Sequence, residues 1–467
     1  MKLIYGIKDK PKFGQIIVFA IQQLLAIMAA TLVVPVIING NVGLTDEYAM
    51  SSAAALLGAG IGTLVYQLFT RFKSPVFLGS SFAFIGPMCA AFAGATSIQA
   101  GYLGLIIGAA MAGLVYVLIA VIVKFAGVKW IAKLMPAVVI GPTVAIIGLS
   151  LAGNAVGDLQ KAPAGGSVYV AIICGLVTLA VTMLCATFGK KMIRLIPFII
   201  GILAGYAVAT IFTVIGNVAS IDALKVINFD PLVNLFTNFG IESIVSVPDF
   251  TFMQAIKGVK EISGEYLFTV FVAYVPVAAV VFAEHLADHK NLSSIIEKDL
   301  LEDPGLHNTL LGDGVGSFAG ALFGGCPNTT YGESVGCVAI TGNASVITIT
   351  VTAILAIAIS FLSPFVAFVN TIPSCVMGGV CMALYGFIAV SGLKMIQKVD
   401  LEKNRNLFVV SVILIAGIGG LSVSFGEVTL TTVACALILG ILANLMLGIK
   451  DGIEENSAPI ETKNKKQ

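Results

Sequence analysis

The chain has 467 residues, of which 58% are hydrophobic and 11% are charged, and its mean hydropathy is +1.01. Soluble domains carry roughly 25% charged residues, so this composition excludes a soluble protein and indicates a polytopic membrane protein. The formal net charge of +1 gives no reason to expect a nucleic-acid partner. The eight cysteines lie mostly inside apolar runs without CxxC pairing, which is typical of reduced packing residues.

Apolar segments of about 20 residues are long enough to cross a bilayer. They recur along the chain in two groups of seven, which occupy residues 14–217 and 265–449 and are separated by a more polar connector at 218–264. The predicted spans are 14–38, 51–70, 75–95, 100–123, 130–152, 166–188, 195–217, 265–286, 306–323, 326–340, 344–366, 371–392, 406–424 and 428–449. Residues 1–13 precede the first span, and the charged tail 450–467 is predicted to be disordered.

The placement of lysine and arginine orients these spans. If the N-terminus is cytoplasmic, 22 of the 26 basic residues fall on the cytoplasmic side, as the positive-inside rule requires. The four that fall outside are Lys161, Lys225, Lys257 and Lys260. We therefore expect a multi-pass protein of the inner (plasma) membrane with both termini in the cytoplasm.

Two pairs of similar sequences lie seven spans apart. Residues 135–141 read MPAVVIG and residues 372–378 read IPSCVMG, and each pair member begins a span. In the third and tenth spans, LGSSFAFI at 78–85 and NTTYGESV at 328–335 both place small polar residues before an aromatic residue and a helix-like run. Because seven is odd, the second half crosses the membrane in the opposite sense. This predicts an inverted repeat, with a binding site where the broken spans of the two halves meet.

Glu333 is isolated at the start of a long uncharged region, since residues 334–393 contain no Asp, Glu, Lys or Arg. An ionisable residue within a membrane span is expensive and indicates function. Residues 327–332 resist helix formation and residues 335–340 favour it, so we predict an extended stretch that turns into a half-helix beginning near Glu333. The positive end of that half-helix would face a substrate cavity. The alternative is a kinked helix with a snorkelling glutamate.

Glu284 follows an 18-residue uncharged run that begins at Tyr266, and Asp288 lies one turn later on the same helical face. Two carboxyls at this spacing inside a membrane suit proton handling, because close carboxyls titrate as a pair. The alternative is that the helix has already reached the cytoplasm at Asp288. His285 and His289 are also four residues apart, but the HExxH pattern of zinc enzymes is absent, so no metal site is expected.

Three further residues, Phe82, Gln22 and Gln23, each allow two interpretations. Phe82 follows a Gly-Ser-Ser sequence, and its ring either offers a flat stacking face to a ligand or packs as an ordinary core residue. Gln22 and Gln23 place two amides in the middle of the first span, where they either link helices or line the site.

Three stretches together resemble the nucleobase–ascorbate transporter family, also called the uracil–xanthine permeases. They are LGSSFAFIGP at 78–87, FAEHLADHKNLSSIIEKDLLEDPGLH at 282–307 and PNTTYGESVGCVAIT at 327–341. The resemblance covers about residues 10–450. Within the family, the TTYGE form is more similar to the uracil branch than to the xanthine or urate branch, which favours a Gln-Asn pair at that place.

The resemblance implies an all-α fold of fourteen spans in two inverted halves, with a core domain, a gate domain and short strands in spans 3 and 10. It implies proton symport without another cofactor, and homodimers formed through the gate domain. It assigns Glu284 and Glu333 to direct binding of the base and Phe82 to stacking on its ring. It assigns the backbone N–H groups of Gly332 and Phe82 as hydrogen-bond donors to the base, and Tyr331 and Ala30 to the lining of the pocket. Glu284 and Asp288 are the residues it assigns to proton coupling.

The chain departs from the family pattern at three places. Gln22-Gln23 replaces Gln-His, Asp288 replaces the histidine of the uracil branch, and Ser334 replaces the usual asparagine. We expect a proton-coupled importer of nucleobases, most simply uracil, with a xanthine-type purine permease as the alternative. An anion exchanger of the same fold is disfavoured by the two glutamates. A membrane-embedded enzyme is disfavoured because no nucleophile–base or metal constellation stands out in the spans.

Overall fold

Apolar runs become helices along most of the chain in the computed structural model, which describes residues 3–127, 130, 134–190, 192–237, 240–425 and 428–457. The first half contains α1 (Phe13–Val42), α2 (Ser52–Phe69), β1 (Leu78–Ser80), α3 (Ile85–Ala93), α4 (Ile98–Ala126), α5 (Ala137–Ser150), α6 (Ala152–Leu159), α7 (Val168–Phe188), α8 (Met192–Leu195) and α9 (Pro197–Ala219). The connector forms only short helices, among them α10 (Asp230–Thr237) and α11 (Thr251–Ala255).

The second half begins with the same order of elements as the first, a long helix, a shorter helix, a strand and a short helix. It contains α12 (Gly264–Ile296), α13 (Leu306–Gly324), β2 (Asn328–Thr330), α14 (Gly332–Thr341), α15 (Val346–Ser360), α16 (Ser363–Thr371), α17 (Ser374–Ile396), α18 (Asn404–Ile418), β3 (Val423–Phe425), β4 (Val428–Leu430) and α19 (Thr432–Ser457). Strands β3 and β4 form a separate antiparallel pair just before α19.

Eight helical segments among the described residues are long and apolar enough to cross a membrane. They are α1, α2, α4, α5 with α6, α7, α9, α12 and α17. Four shorter apolar helices, at 82–93, 346–360, 404–418 and 432–448, fall in other predicted spans. The chain is therefore a multi-pass membrane protein.

Two helices continue past their predicted ends. Helix α12 runs to Ile296, although the sequence suggested a span ending at residue 286. Its polar second half stays helical because His285, His289, Leu292 and Ile296, spaced three and four residues apart, keep one face buried. Helix α19 runs to Ser457, so residues 450–457 are helical where disorder was predicted, while 458–467 lie outside the described residues.

Strands β1 and β2 pair antiparallel, with Leu78 opposite Thr330, Gly79 opposite Thr329 and Ser80 opposite Asn328. The ladder continues through Ser81 N–H to Pro327 O, at 2.9 Å, and Tyr331 N–H to Phe77 O, at 3.3 Å. Both strands are buried. Extended backbone at membrane depth needs such internal partners, since lipid supplies none. The pairing brings the N-terminal ends of two short helices, α3 and α14, to the same place in the fold.

Glycines allow α2 to lie directly against α13. A Cβ added at Gly58 would stand 2.6 Å from the carbonyl oxygen of Gly320, and one at Gly316 would stand 2.8 Å from the carbonyl oxygen of Gly62. Small residues at such crossings let helix backbones approach closely in membranes. This packing places α13, with its buried Asp313, behind the two strands.

The segment before α1 binds the far end of α14. The N–H groups of Ile4 and Tyr5 donate to the carbonyl oxygen of Gly342, and the Ala344 N–H donates to the carbonyl oxygen of Tyr5 at 2.8 Å. The hydroxyl of Tyr5 donates to Gln15 in the first turn of α1. The half-helix is therefore held at its C-terminal end as well as at the strand that precedes it.

Candidate functional site

The N-terminus of α14 opens onto unfilled space. Tyr331 is the extended residue that precedes the helix, and Gly332 and Glu333 form its first turn. Gly332 is exposed and Glu333 is half-buried. A Cβ added at Gly332 would meet only Asp288 Oδ1, at 3.8 Å. The first backbone N–H groups of a helix have no intrahelical partner, so this end presents donors and a positive dipole to the open space.

Helix α12 carries two carboxyls past this opening. Asp288 accepts a hydrogen bond from the Thr330 hydroxyl through Oδ2, at 2.8 Å, which ties it to the end of β2. Glu284 lies one turn earlier on the same face, and both side chains are half-buried. The first turn of α14 lies beside them, since the Cβ position of Gly332, the residue before Glu333, is 3.8 Å from Asp288 Oδ1. The structure thus brings together Glu284, Asp288 and Glu333, which lie in two distant parts of the sequence.

No cation neutralises this group of carboxyls among the described residues. Ion pairs such as Lys73–Asp303, Lys225–Asp222 and Lys403–Asp400 involve other carboxyls. Three neighbouring carboxyls without a basic partner offer carboxylate oxygens as hydrogen-bond acceptors. Such a site has little attraction for an anion.

An aromatic pair lies on the β1 side. Phe82 begins the short 3-10 turn after β1, is 9% exposed, and meets Tyr385 of α17 edge to face with ring centroids 5.8 Å apart. Tyr385 is 3% exposed, and its hydroxyl lies beside the thiol of Cys381, one turn earlier on α17. Sequence reasoning missed Tyr385. The available signal was a tyrosine, which usually needs a hydroxyl partner when buried, within a long uncharged run.

Tyr331 and Ala30, which the resemblance assigns to the pocket, are buried among the strands and α1. Tyr331 is 4% exposed and donates its hydroxyl to the carbonyl oxygen of Ser80 at 2.8 Å. Its ring covers Gly79, where no Cβ would fit. Tyr331 therefore joins the two strands. Ala30 of α1 is 1% exposed, next to Thr31, whose hydroxyl is 3.5 Å from that of Tyr331.

Two of the departures from the family pattern contact each other. The Gln23 amide Nε2 donates to the Ser334 hydroxyl at 2.5 Å, and the same hydroxyl accepts the Phe77 N–H at 3.1 Å. Both side chains are buried. Gln23 therefore links α1 to the first turn of α14, directly beside Glu333. Gln22 is also buried, and its Oε1 has no partner.

The two histidines face away from the carboxyls. His285 Nδ1 lies 2.7 Å from Asp313 Oδ2, and its Nε2 lies 3.0 Å from the Thr309 hydroxyl. His289 Nε2 lies 2.7 Å from the Tyr66 hydroxyl. These contacts bind α12 to α13 and α2. No group of three or more His, Cys, Asp or Glu suited to a metal ion occurs among the described residues.

The sequence of the chain is similar to those of several known proteins. Residues 14–425 match the family model Xan_ur_permease, described as the Permease family. The chain is 37% identical to the uracil permease of Bacillus caldolyticus, over 97% of each chain. It is 35% identical to the uracil permease of Escherichia coli K12, over 94% of this chain and 93% of that protein. It is 30% identical to the putative pyrimidine permease RutG of the same strain, over 95% and 91%.

The fold is similar to that of solved transporters with little sequence identity. One is the transmembrane domain of the cyanobacterial bicarbonate transporter BicA, with a TM-score of 0.56 at 14% identity over 95% of this chain and 100% of that chain. Another is the murine anion transporter Slc26a9 in the inward-facing state, with a TM-score of 0.59 at 12% identity over 95% and 69%. At these identities the likeness concerns the fold alone.

Tyr331 and Tyr385, which are both buried, allow a matched test of the hydrogen bond by which the Tyr331 hydroxyl joins β2 to β1. Tyr331→Phe leaves the Ser80 carbonyl oxygen without its donor, which costs about 1–3 kcal/mol. Tyr385→Phe removes a hydroxyl whose neighbour is the thiol of Cys381, a weak hydrogen-bonding group, so the expected loss of stability is smaller. The melting temperatures of the two purified variants in detergent measure the difference. Equal melting temperatures would show that the Tyr331 hydroxyl does not hold the strands.

Proposed function

This chain belongs to the permease family whose model spans residues 14–425, and from that membership we propose that it is a proton-coupled nucleobase importer with uracil as its main substrate. As a permease it is a membrane transporter and not an enzyme. The choice of uracil is supported by the relatives named uracil permeases, at 35–37% identity over most of the chain.

The observation that carries the proposal is the meeting of acceptors and donors at one opening. Glu284 and Glu333 supply carboxylate oxygens there, and the first turn of α14 supplies N–H groups. A uracil-type imide carries N–H donors beside carbonyl acceptors on a flat ring. The carboxylates accept its N–H groups, the helix end donates to its carbonyl oxygens, and Phe82 covers its face. A site built on such matched hydrogen bonds rejects analogues that lack one of the groups.

The proposal includes fourteen spans arranged as a 7+7 inverted repeat. Its support is the antiparallel pairing of β1 with β2, each of which is followed by a short helix. The first helix of each half, α1 and α12, is long and contains an internal proline, Pro35 or Pro276. Core and gate domains, a homodimer formed through the gate, and cytoplasmic termini in the bilayer belong to the same proposal.

Two other substrates are weighed against uracil. A purine is favoured by Asp288, because purine members of the family often carry Asp there. An anion would match the substrates of the fold relatives, which are a bicarbonate transporter and an anion transporter. The three unpaired carboxyls of this site oppose an anion, so the purine is the alternative that remains.

Competition during uptake tests the substrate. Cells that lack their own base permeases and express this chain are expected to take up labelled uracil, with excess unlabelled uracil blocking uptake. Excess xanthine is expected to leave uptake unchanged, because its fused ring exceeds a pocket fitted to one ring. Xanthine that blocks as well as uracil does would reject the pyrimidine assignment, and no uracil uptake in producing cells would reject the function.

We expect the two carboxyls of α12 to have different roles in the coupling of uracil transport to proton movement. Proton-coupled transport by alternating access needs a group that is protonated in one state of the transporter and deprotonated in another. We expect Glu284→Gln to weaken uracil binding and abolish concentrative uptake, since Glu284 contacts the base. Asp288→Asn is expected to bind uracil nearly normally but to lose accumulation driven by a pH gradient, while it still exchanges labelled for unlabelled base.

Proteoliposomes with an imposed pH gradient make this measurement, with uptake and counterflow recorded for each variant. Glu265→Gln, at the exposed start of the same helix, is the control and is expected to behave as wild type. Wild-type accumulation by Asp288→Asn would show that the proton moves without this residue. Glu284 alone, or a group such as His289, would then carry the relay.

A further inference from the structure

A cavity of about 190 Å³ lies between the C-terminal end of α1 and helix α6. One wall is formed by Ile37, Gly40 and Asn41 of α1, and the other by α6 and by Lys161, which follows it. We call this cavity the α1–α6 cleft. A single water molecule needs about 10–15 Å³ of such space, so the cleft has room for a small ring.

Glycines leave both walls of the α1–α6 cleft without side chains at three positions. Gly40, Gly153 and Gly157 line the cleft and are exposed, and a Cβ added at any of them would meet no atom within 4 Å. Gly153 and Gly157 lie inside α6, where glycine destabilises a helix relative to alanine and where no neighbour requires it. Glycine does allow a backbone to approach a ligand closely. The walls can therefore lie flat against the face of a ring.

The polar side chains on the α6 side of the cleft supply both hydrogen-bond donors and acceptors. Asn154 and Asp158 are half-buried and lie one turn apart on the same face of α6, and Lys161 is exposed just beyond its end. The amide donates and accepts, the carboxylate accepts, and the ammonium donates. One carboxylate and one ammonium cancel in charge, so this set suits an uncharged polar ligand better than an ion.

Both walls of the cleft are joined to the elements that carry the aromatic pair on the β1 side. A Cβ added at Gly378 would stand 2.8 Å from the backbone carbonyl carbon of Asp158, so the end of α6 lies on α17 about two turns before Tyr385. Across the cleft, Asn41 Nδ2 lies 3.8 Å from the Cys89 thiol of α3, the first α-helix after β1. The cleft therefore has lining residues of its own but adjoins helices that border the candidate site.

We propose that the α1–α6 cleft is a second binding site for the transported base, with Asn154, Asp158 and Lys161 as its hydrogen-bonding groups. This inference rests on the proposed function, since its ligand is the base that binds at α14. A pyrimidine base is flat and uncharged, and it presents N–H donors beside carbonyl acceptors. Asp158 accepts from an N–H group, Lys161 donates to a carbonyl oxygen, and the Asn154 amide pairs with an edge that carries both. The glycine walls lie against the ring.

Protection of an introduced cysteine tests for the base in the cleft. Gly157→Cys places a thiol there without a clash, and replacing a helical glycine favours the helix. The rate of reaction with a hydrophilic thiol reagent is measured on purified protein in detergent, with wild type as the blank for the native cysteines. Uracil at about ten times its half-protecting concentration is expected to slow the reaction about tenfold. The control Gly240→Cys, at an exposed glycine of the connector where a Cβ also meets no atom, is expected to react equally with and without uracil.

Two further substitutions in the Gly157→Cys protein separate the cleft from the carboxylate site at α14. Protection is expected to persist with Glu333→Gln, because the cleft binds the base without Glu333. Asp158→Asn is expected to raise the half-protecting uracil concentration by about tenfold, because a charged acceptor is lost.

No protection in a protein that takes up uracil would overturn the second site and leave the proposed function intact. Protection that disappears with Glu333→Gln would show that the signal comes from the carboxylate site, and it would also overturn the second site. An unchanged half-protecting concentration in Asp158→Asn would overturn the assignment of its hydrogen-bonding groups. Absence of both uptake and protection would reject the proposed function together with this inference.

Discussion

The antiparallel pairing of β1 with β2 is the contact on which the site depends. Six residues of extended chain at membrane depth would leave their backbone groups unsatisfied in lipid, and each strand supplies the other's partners. Because the two strands pair, α3 and α14 begin side by side and point their donor ends inward. The Tyr331 hydroxyl, the Gly79 surface beneath its ring and the Gln23–Ser334 bond all secure this one junction.

Helix α12 carries two carboxyls on one face and two histidines on the neighbouring face. Its carboxyls at Glu284 and Asp288 lie at the N-terminal end of α14, where we propose that the substrate and the proton bind. Its histidines at 285 and 289 are closed into bonds with Asp313 and Tyr66. The histidine face therefore fixes the helix to α13 and α2, while the carboxyl face borders the opening at α14 and is joined to β2 through Thr330. This division allows a titratable group within the membrane without loosening the fold around it.

Much of this arrangement was predictable from sequence because membrane burial limits the alternatives. The absence of charge after Glu333 and the helix-resistant residues 327–332 predicted the extended stretch and the half-helix that follows it. Spacing of four residues placed Glu284 and Asp288 on one face. The length of α12 was underestimated because a polar sequence can stay helical when one face is buried. The contacts of Phe82 with Tyr385 and of Gln23 with Ser334 were not predictable, since each depends on how separate helices pack.

The central claim is that Glu333, at the start of α14, accepts a hydrogen bond directly from the transported base. Calorimetric titration of uracil into purified wild type, Glu333→Gln and the control Glu265→Gln tests it most directly. The glutamine presents an N–H to a substrate N–H, and loss of a charged partner costs roughly 1–3 kcal/mol or more. The account predicts that Glu333→Gln binds uracil at least about tenfold more weakly than the other two proteins. Equal affinity for all three proteins would remove Glu333 from the site and contradict the account.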